Sequence, residues 1–194
     1  AYSDRAWILD GAAVRVSMVG FDNGENQQKV LDNSAVAKIT SDLKSDIDLS
    51  VAKPLLENEG LGHVGISKKG PFDIEKNLAL QMLDAPKNPN GKTNHDVVRK
   101  WVNAADLVSE PREMWIIDFG VNTPQETAAL YELPFEYVKK TVKPIRDLVR
   151  NKKEREFWWL HARTAPAFRN SVNGLRRYIA TPSVAKYRIF VWLD

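Results

Sequence analysis

From Trp158 and Trp159 through Arg163, Arg169, Arg176, Arg177 and Lys186 to Arg188, the sequence interleaves large aromatic side chains with cations. Residues of these types do one kind of chemistry well: guanidinium and ammonium groups neutralise phosphates, and an arginine can fork onto a base edge. The net charge of +3 is too small to point to a polyanion by itself. Its distribution says more. Residues 135–194 carry 14 Lys and Arg against 5 Asp and Glu, a balance of +9, and the first 134 residues sum to −6. A basic half on a near-neutral chain is a directional electrostatic face.

Catalytic chemistry is harder to find. With no cysteine, disulfides and thiolate metal sites are excluded. His63, His95 and His161 lack metal-ligand spacing and read as surface or hydrogen-bonding residues. No serine sits in a G-x-S-x-G turn, and no carboxylate pair has a geometry that spacing fixes. Gly60-Leu61-Gly62-His63-Val64-Gly65 satisfies a dinucleotide pattern, but the polar segment 56–59 precedes it where a strand is needed. Lys69-Gly70-Pro71 blocks the helix that should hold a pyrophosphate. Asp118-Phe119-Gly120 spells a kinase metal-binding triplet without its companion motifs and reads as a strand end. No apolar run approaches the roughly 18–20 residues of a membrane span. Residues 1–5 do not form a signal peptide, so a cytoplasmic protein is the default expectation.

The elements that must carry the basic residues are of mixed type. Residues 7–21 predict one or two buried strands, with Val14, Val16 and Met18 at period two and Arg15 and Ser17 on the other face. Asp22-Asn23-Gly24 is a turn, 29–31 a short strand, and the chain is then irregular to about Gly70. A helix is expected over 74–83, with Leu78, Met82 and Leu83 on one face, ending before Pro86. Asn88-Pro89-Asn90-Gly91 is a loop. Residues 96–101 could open another helix, and 114–118 read as a buried strand. Thr123, Pro124 and Glu126 form a helix start with Thr as N-cap.

Beyond that start, Tyr131, Phe135, Val138, Val142, Ile145 and Val149 make an apolar helical face, with Pro134 and Pro144 kinking or restarting it. Lys139, Lys143, Arg146 and Arg150 follow the same spacing on an adjacent face. That stripe suits phosphate contact, with a solvated outer face as the alternative. A last amphipathic helix over 166–176 should bury Phe168, Val172 and Leu175 and expose Arg169, Asn173 and Arg176. Strands are expected at 178–181 and 187–193. The chain ends inside that last strand pattern, which leads us to expect a piece of a larger protein.

A family resemblance covers almost the whole chain in collinear order. Residues 7–22, Trp7-Ile8-Leu9-Asp10-Gly11 through Asp22, resemble the last catalytic-domain strands of a group of large bacterial adenine-N6 DNA methyltransferases, the MmeI-like restriction–modification and phage-defence enzymes. The blocks at 69–74, 88–96, 114–120, 131–135, 155–161 and 178–186 resemble the region that follows that domain. The resemblance implies a target-recognition domain, which reads base sequence while the catalytic domain flips out an adenine. It also implies that the S-adenosylmethionine loop and the Asn-Pro-Pro-Tyr-type catalytic tetrapeptide lie upstream of Ala1. Asn88-Pro89-Asn90 is no substitute, lacking the second proline and the stacking aromatic.

The expectation is therefore an α+β chain of mixed sheet elements and several amphipathic helices. Residues 1–32 would be a vestige of the methyltransferase sheet and 33–194 the recognition domain, C-terminally incomplete. Its partners would be double-stranded DNA and the remainder of the methyltransferase chain, with no membrane. No cofactor is expected here, and S-adenosylmethionine in the parent. Phosphate contacts would come from Lys139, Lys143, Arg146, Arg150, Arg163, Arg169, Arg176 and Arg177, and base reading from Ser183, Lys186 and Arg188. Trp158 and Trp159 are assigned to core packing. The competing reading is a protein-interaction or assembly domain whose basic face meets an acidic partner.

Overall fold

The computed structural model describes residues 1–47, 51–186 and 188–194. Asp48, Leu49 and Ser50, in the stretch expected to be irregular, and Tyr187, where the last predicted strand begins, lie outside the described residues. The architecture is α+β, built from short helices and small antiparallel sheets. Among the described residues no helix is long and apolar enough to cross a membrane. The chain divides into two compact units, Ala1–Gly60 and Leu61–Asp194.

Two hairpins make the first unit. β1 (Tyr2–Leu9) pairs with β2 (Ala12–Met18), and Asp10 and Gly11 turn the chain between them with φ of 48° and 83°. Positive φ at both central residues gives a turn whose twist matches the strands, which is why Asp-Gly is a hairpin signal. The expected alternation holds, with Val14, Val16 and Met18 half-buried and Arg15 and Ser17 exposed. The expected burial does not: Trp7, Ile8 and Leu9 are all exposed. A two-stranded ribbon has too little partner surface to cover them. β3 (Lys29–Leu31) and β4 (Ser34–Val36) form the second hairpin around Asp32 and Asn33, again at positive φ. The Asp32 carboxylate accepts from the Ser3 amide at 2.9 Å and from the Ser3 hydroxyl at 2.5 Å, joining the hairpins. Residues 32 and 33 thus form a turn inside one unit, and the division between units falls after Gly60.

The second unit is organised by β7 (Trp115–Ile117), flanked by β5 (Asp73–Ile74) and β6 (Val98–Lys100) in the order β5–β7–β6. Ile116 and Ile117 are buried, as a central strand requires. β6 replaces most of the helix expected over 96–101. Only a single 3-10 turn forms at Asn94–Asp96, and Val98 is then drawn opposite Ile117 in the sheet. Such β-branched residues pack better on a pleated surface than in a short helix. α1 (Lys76–Leu83) buries Ala79, Met82 and Leu83 and stops ahead of Pro86 as expected. Asn88 closes the following turn and donates to Asn94 Oδ1 at 2.9 Å. Asn94 in turn donates to Met82 O at 2.8 Å, tying the loop to the end of α1. α2 (Ala104–Val108) is capped by Asn103, with Asp106 completing the box and holding Arg112 through two side-chain bonds at 2.8 and 3.0 Å.

α3 (Gln125–Ala129) begins at Pro124. Thr123 does not cap it, because its hydroxyl donates back to Phe119 O. α4 (Glu132–Thr141) buries Phe135 and Val138 against Trp158 and Phe119, with the Phe135 and Trp158 rings 5.3 Å apart. Trp158 and Trp159 are core residues, as their assignment expected; the Trp159 indole N–H donates to Thr123 O at 2.9 Å. Gly70 allows a close approach in this core, since a Cβ there would meet Phe72 and Val142 at 3.3 Å.

The single long apolar face does not continue past Val142. α5 (Lys143–Asp147) restarts at Pro144, which has no amide to continue α4. The register rotates, so Ile145 faces out and Arg146 faces in, with no exposed surface. α6 (Lys152–Glu156), α7 (Pro166–Val172), β8 (Tyr178–Ala180) and β9 (Val191–Leu193) complete the unit.

Candidate nucleic-acid interface

The basic end of the chain is held to the core through a series of contacts that starts at β7. Asp118 follows the strand directly and is buried. Its carboxylate accepts from the Gly120 amide at 2.9 Å and takes both oxygens to Arg169 Nη2, at 2.9 and 2.7 Å. Burial on its own would raise the Asp118 pKa. The His161 and Arg169 charges and the bonds from Gly120 and Arg169 outweigh it, and the net shift is down. Burial pushes His161 below its ordinary value against the pull of Asp118 and the Ile117 carbonyl. Burial thus keeps His161 uncharged at neutral pH, where Arg169 is the cation paired with Asp118; as pH falls and His161 takes up a proton, its charge adds to the hold on the Asp118 carboxylate.

Arg169 lies on α7, whose first turn is set by Ala165 in the left-handed region and Pro166 at the first helical position. Arg169 also donates to Thr164 O at 2.6 Å. One residue earlier, Phe168 packs edge-on against Tyr178 of β8, ring centroids 5.7 Å apart. Core, Asp118, Arg169, α7, Phe168 and Tyr178 thus form one mechanical line into the β8–β9 hairpin.

That hairpin pairs Tyr178 with Leu193, Ile179 with Trp192 and Ala180 with Val191. Period two separates its faces. Tyr178, Ala180, Val191 and Leu193 are half-buried, while Ile179 and Trp192 point outward, each 55 % exposed. Arg177 lays its guanidinium 4.3 Å from the Trp192 ring centroid. Arg176 is exposed beside it. In the segment 181–190, Pro182 is buried and its carbonyl accepts from Arg188 Nη1 at 2.6 Å, fixing the base of the loop. Ser183, Lys186 and Arg188 are exposed there, with Val184 and Phe190.

The expected phosphate-binding set divides. Arg150, Arg163, Arg176 and Arg177 are exposed. Lys139 and Lys143 hold surface ion pairs with Glu136 at 3.0 Å and Asp147 at 2.7 Å, which solvent competes for readily. Two members are corrections. Arg146 is not on the solvent stripe: it donates to Glu154 at 2.9 Å, to Lys68 O at 2.8 Å and to Leu160 O at 3.4 Å. Burial pushes its pKa down and Glu154 opposes that. Arg169, expected to be exposed, is committed to Asp118, and Leu175, expected to be buried, is 57 % exposed. Leu175 is left outside because α7 ends at Val172, four residues earlier than the pattern suggested.

Sequence reasoning treated Asp118 only as a strand end and gave His161 no specific place. The available signal was chemical: an acid directly after a buried apolar strand needs a cation or donors. Which cation answers it was not readable from spacing. His161 donates through Nε2 to Ile117 O at 3.0 Å and stands edge-on to Phe72. Its folded pKa is lowered, so its stabilising contribution is present above the unfolded value of about 6.5 and is lost as pH falls from there. Replacing His161 with Gln should flatten the stability profile below about pH 6.5. Urea midpoints at three pH values will show it, and an unchanged slope would remove His161 from the acid response.

Residues 60–65 lead into no helix, so no pyrophosphate-binding helix start exists there. Among the described residues no three His, Asp or Glu side chains gather as around a metal ion. Comparison with protein-family models, curated proteins and solved structures finds no match.

Proposed function

We propose that this chain is a double-stranded DNA recognition module of an S-adenosylmethionine-dependent adenine-N6 DNA methyltransferase. The observation that carries the DNA reading is the β8–β9 hairpin. It projects Arg177 on Trp192 outward, beside Arg176 and a loop bearing Ser183, Lys186 and Arg188. Residues 163–194 contain six cations and one acid, Asp194. One cation, Arg169, is spent on Asp118, and the other five are exposed. Strand ribbons are among the elements that read DNA from either groove. The methyltransferase part of the reading is supported by the collinear sequence resemblance; cofactor binding and methyl transfer belong to the parent protein.

The test is duplex binding by fluorescence anisotropy across a salt series. Wild-type affinity should fall linearly with salt on a log–log plot. Arg176→Ala and Arg177→Ala should each flatten the slope by about 0.9, the value of one phosphate contact. No duplex binding at low salt, or slopes unchanged in both variants, would refute the assignment.

The second reading, an assembly domain, is favoured by the first unit. There Trp7, Ile8 and Leu9 lie exposed along β1 and Phe21 is 95 % exposed.

A further inference from the structure

We infer that the outward face of the β8–β9 hairpin is an apolar wedge that enters a base step of duplex DNA and bends it, with Trp192 as the wedge and Arg177 as its brace. The inference rests on the DNA reading above and assigns a mode of recognition to it.

An indole more than half exposed on a surface hairpin has lost the burial that would justify its place. Trp192 is nevertheless held in position. Arg177 stacks on its ring at 4.3 Å, and Ile179 is its direct cross-strand partner. The inner face of the hairpin is seated through Tyr178 on Phe168, so the outer face is backed by a helix tied to the core. Phe190, 68 % exposed, extends the apolar surface toward the loop.

The chemistry of this face selects its occupant. An apolar centre that carries Arg177 on its ring, with Arg176 exposed next to it in the chain, complements a ligand that is apolar in the middle and anionic at its margin. Stacked bases between two phosphate backbones have that pattern. Inserted apolar side chains unstack a step and kink the duplex, and cations hold the flanking phosphates. The cost depends on the step being opened, least at pyrimidine–purine steps, so such a wedge reads deformability as well as base edges. Ser183, Lys186 and Arg188 would then face base edges beside a kink.

The experiment uses the whole chain and duplexes labelled at both ends, with 2-aminopurine beside a central TA step. Wild-type protein should shorten the end-to-end distance by energy transfer and brighten the 2-aminopurine. Trp192→Ala should bind about tenfold more weakly, in the range of one lost aromatic–base stack, and should neither bend nor brighten the duplex. Its salt slope should match wild type, since no phosphate contact is lost. Trp192→Phe should keep most of the bend. Arg177→Ala should lose both slope and part of the bend. Unchanged bending and affinity in Trp192→Ala would overturn the wedge and leave DNA binding standing. Absence of duplex binding by the wild type would remove both. Vesicles containing one-third phosphatidylserine are the remaining arm. Tighter binding to them than to DNA, with a Trp192-dependent blue shift in fluorescence, would reassign the face to an anionic lipid surface.

Discussion

Replacing Arg146 with Ala should destabilise the second unit by about 3–5 kcal/mol, the cost of leaving one member of a buried ion pair uncompensated. The arginine has no exposed surface, and its guanidinium connects three separate segments: Glu154 of α6, the Lys68 carbonyl and the Leu160 carbonyl. Removing it leaves the Glu154 carboxylate with Lys69 at 3.2 Å and Asn151 among the described residues. Denaturant unfolding will measure the loss. Pairing Arg146→Met with Glu154→Leu should recover part of it, because two apolar side chains of similar volume leave no orphaned charge. Two carbonyls would still lack a donor, at about 1–3 kcal/mol for a buried polar group. Any DNA affinity of the Arg146→Ala protein that survives at low temperature should show the wild-type salt slope. A slope flattened by one contact, with stability unchanged, would return Arg146 to the phosphate-binding set.

This residue marks where the sequence was legible and where it was not. Period and turn chemistry are local, and they were readable. Val14, Val16 and Met18 alternate as expected, α1 ends before Pro86, and Trp115–Ile117 is a buried strand. Some local signals were present and passed over. Asp10-Gly11 and Asp32-Asn33 are hairpin turns, and Asn103 with Asp106 is a capping box. The errors arose where a distant partner decides. Lys139, Lys143, Arg146 and Arg150 share a spacing, but Pro144 breaks the helix that would make the spacing a face, and Glu154 draws Arg146 inside. Val98 joins β7 because Ile117 is there to pair with. For the candidate interface, the density of cations was readable, whereas the Arg177–Trp192 stack depends on the register of β8 against β9. Composition says nothing of that register.

The Asp118–Arg169 pair should be asymmetric in its energetics, and its response to pH should identify why. Asp118 is buried, with a side chain 6 % exposed, and Arg169 is 24 % exposed. If Asp118 is removed, the guanidinium can turn toward water. If Arg169 is removed, a carboxylate stays buried with one amide donor, Gly120, and an uncharged His161 at 3.8 Å. Arg169→Ala should therefore cost about 3 kcal/mol and Asp118→Ala less, with a double variant near the Asp118→Ala value. In the native protein the Asp118 pKa is lowered, so its contribution is present above the unfolded value near 3.9 and is lost as pH falls through the folded value. Without Arg169 its charge and hydrogen bond no longer offset burial, so the Asp118 pKa rises from its native value and protonation relieves part of the penalty. Both effects shrink the difference between wild type and Arg169→Ala on acidification from about pH 6 to pH 3. A difference that stays constant or grows over that range would mean that the pair does not act as an ion pair. The same variant connects the core to function. α7 carries both Arg169 and the Phe168 contact to Tyr178, so loosening α7 should weaken duplex binding through the hairpin. The salt slope should not change, since Arg169 is spent on Asp118 rather than on phosphate. Loss of a full slope unit in Arg169→Ala would instead place its guanidinium on the DNA.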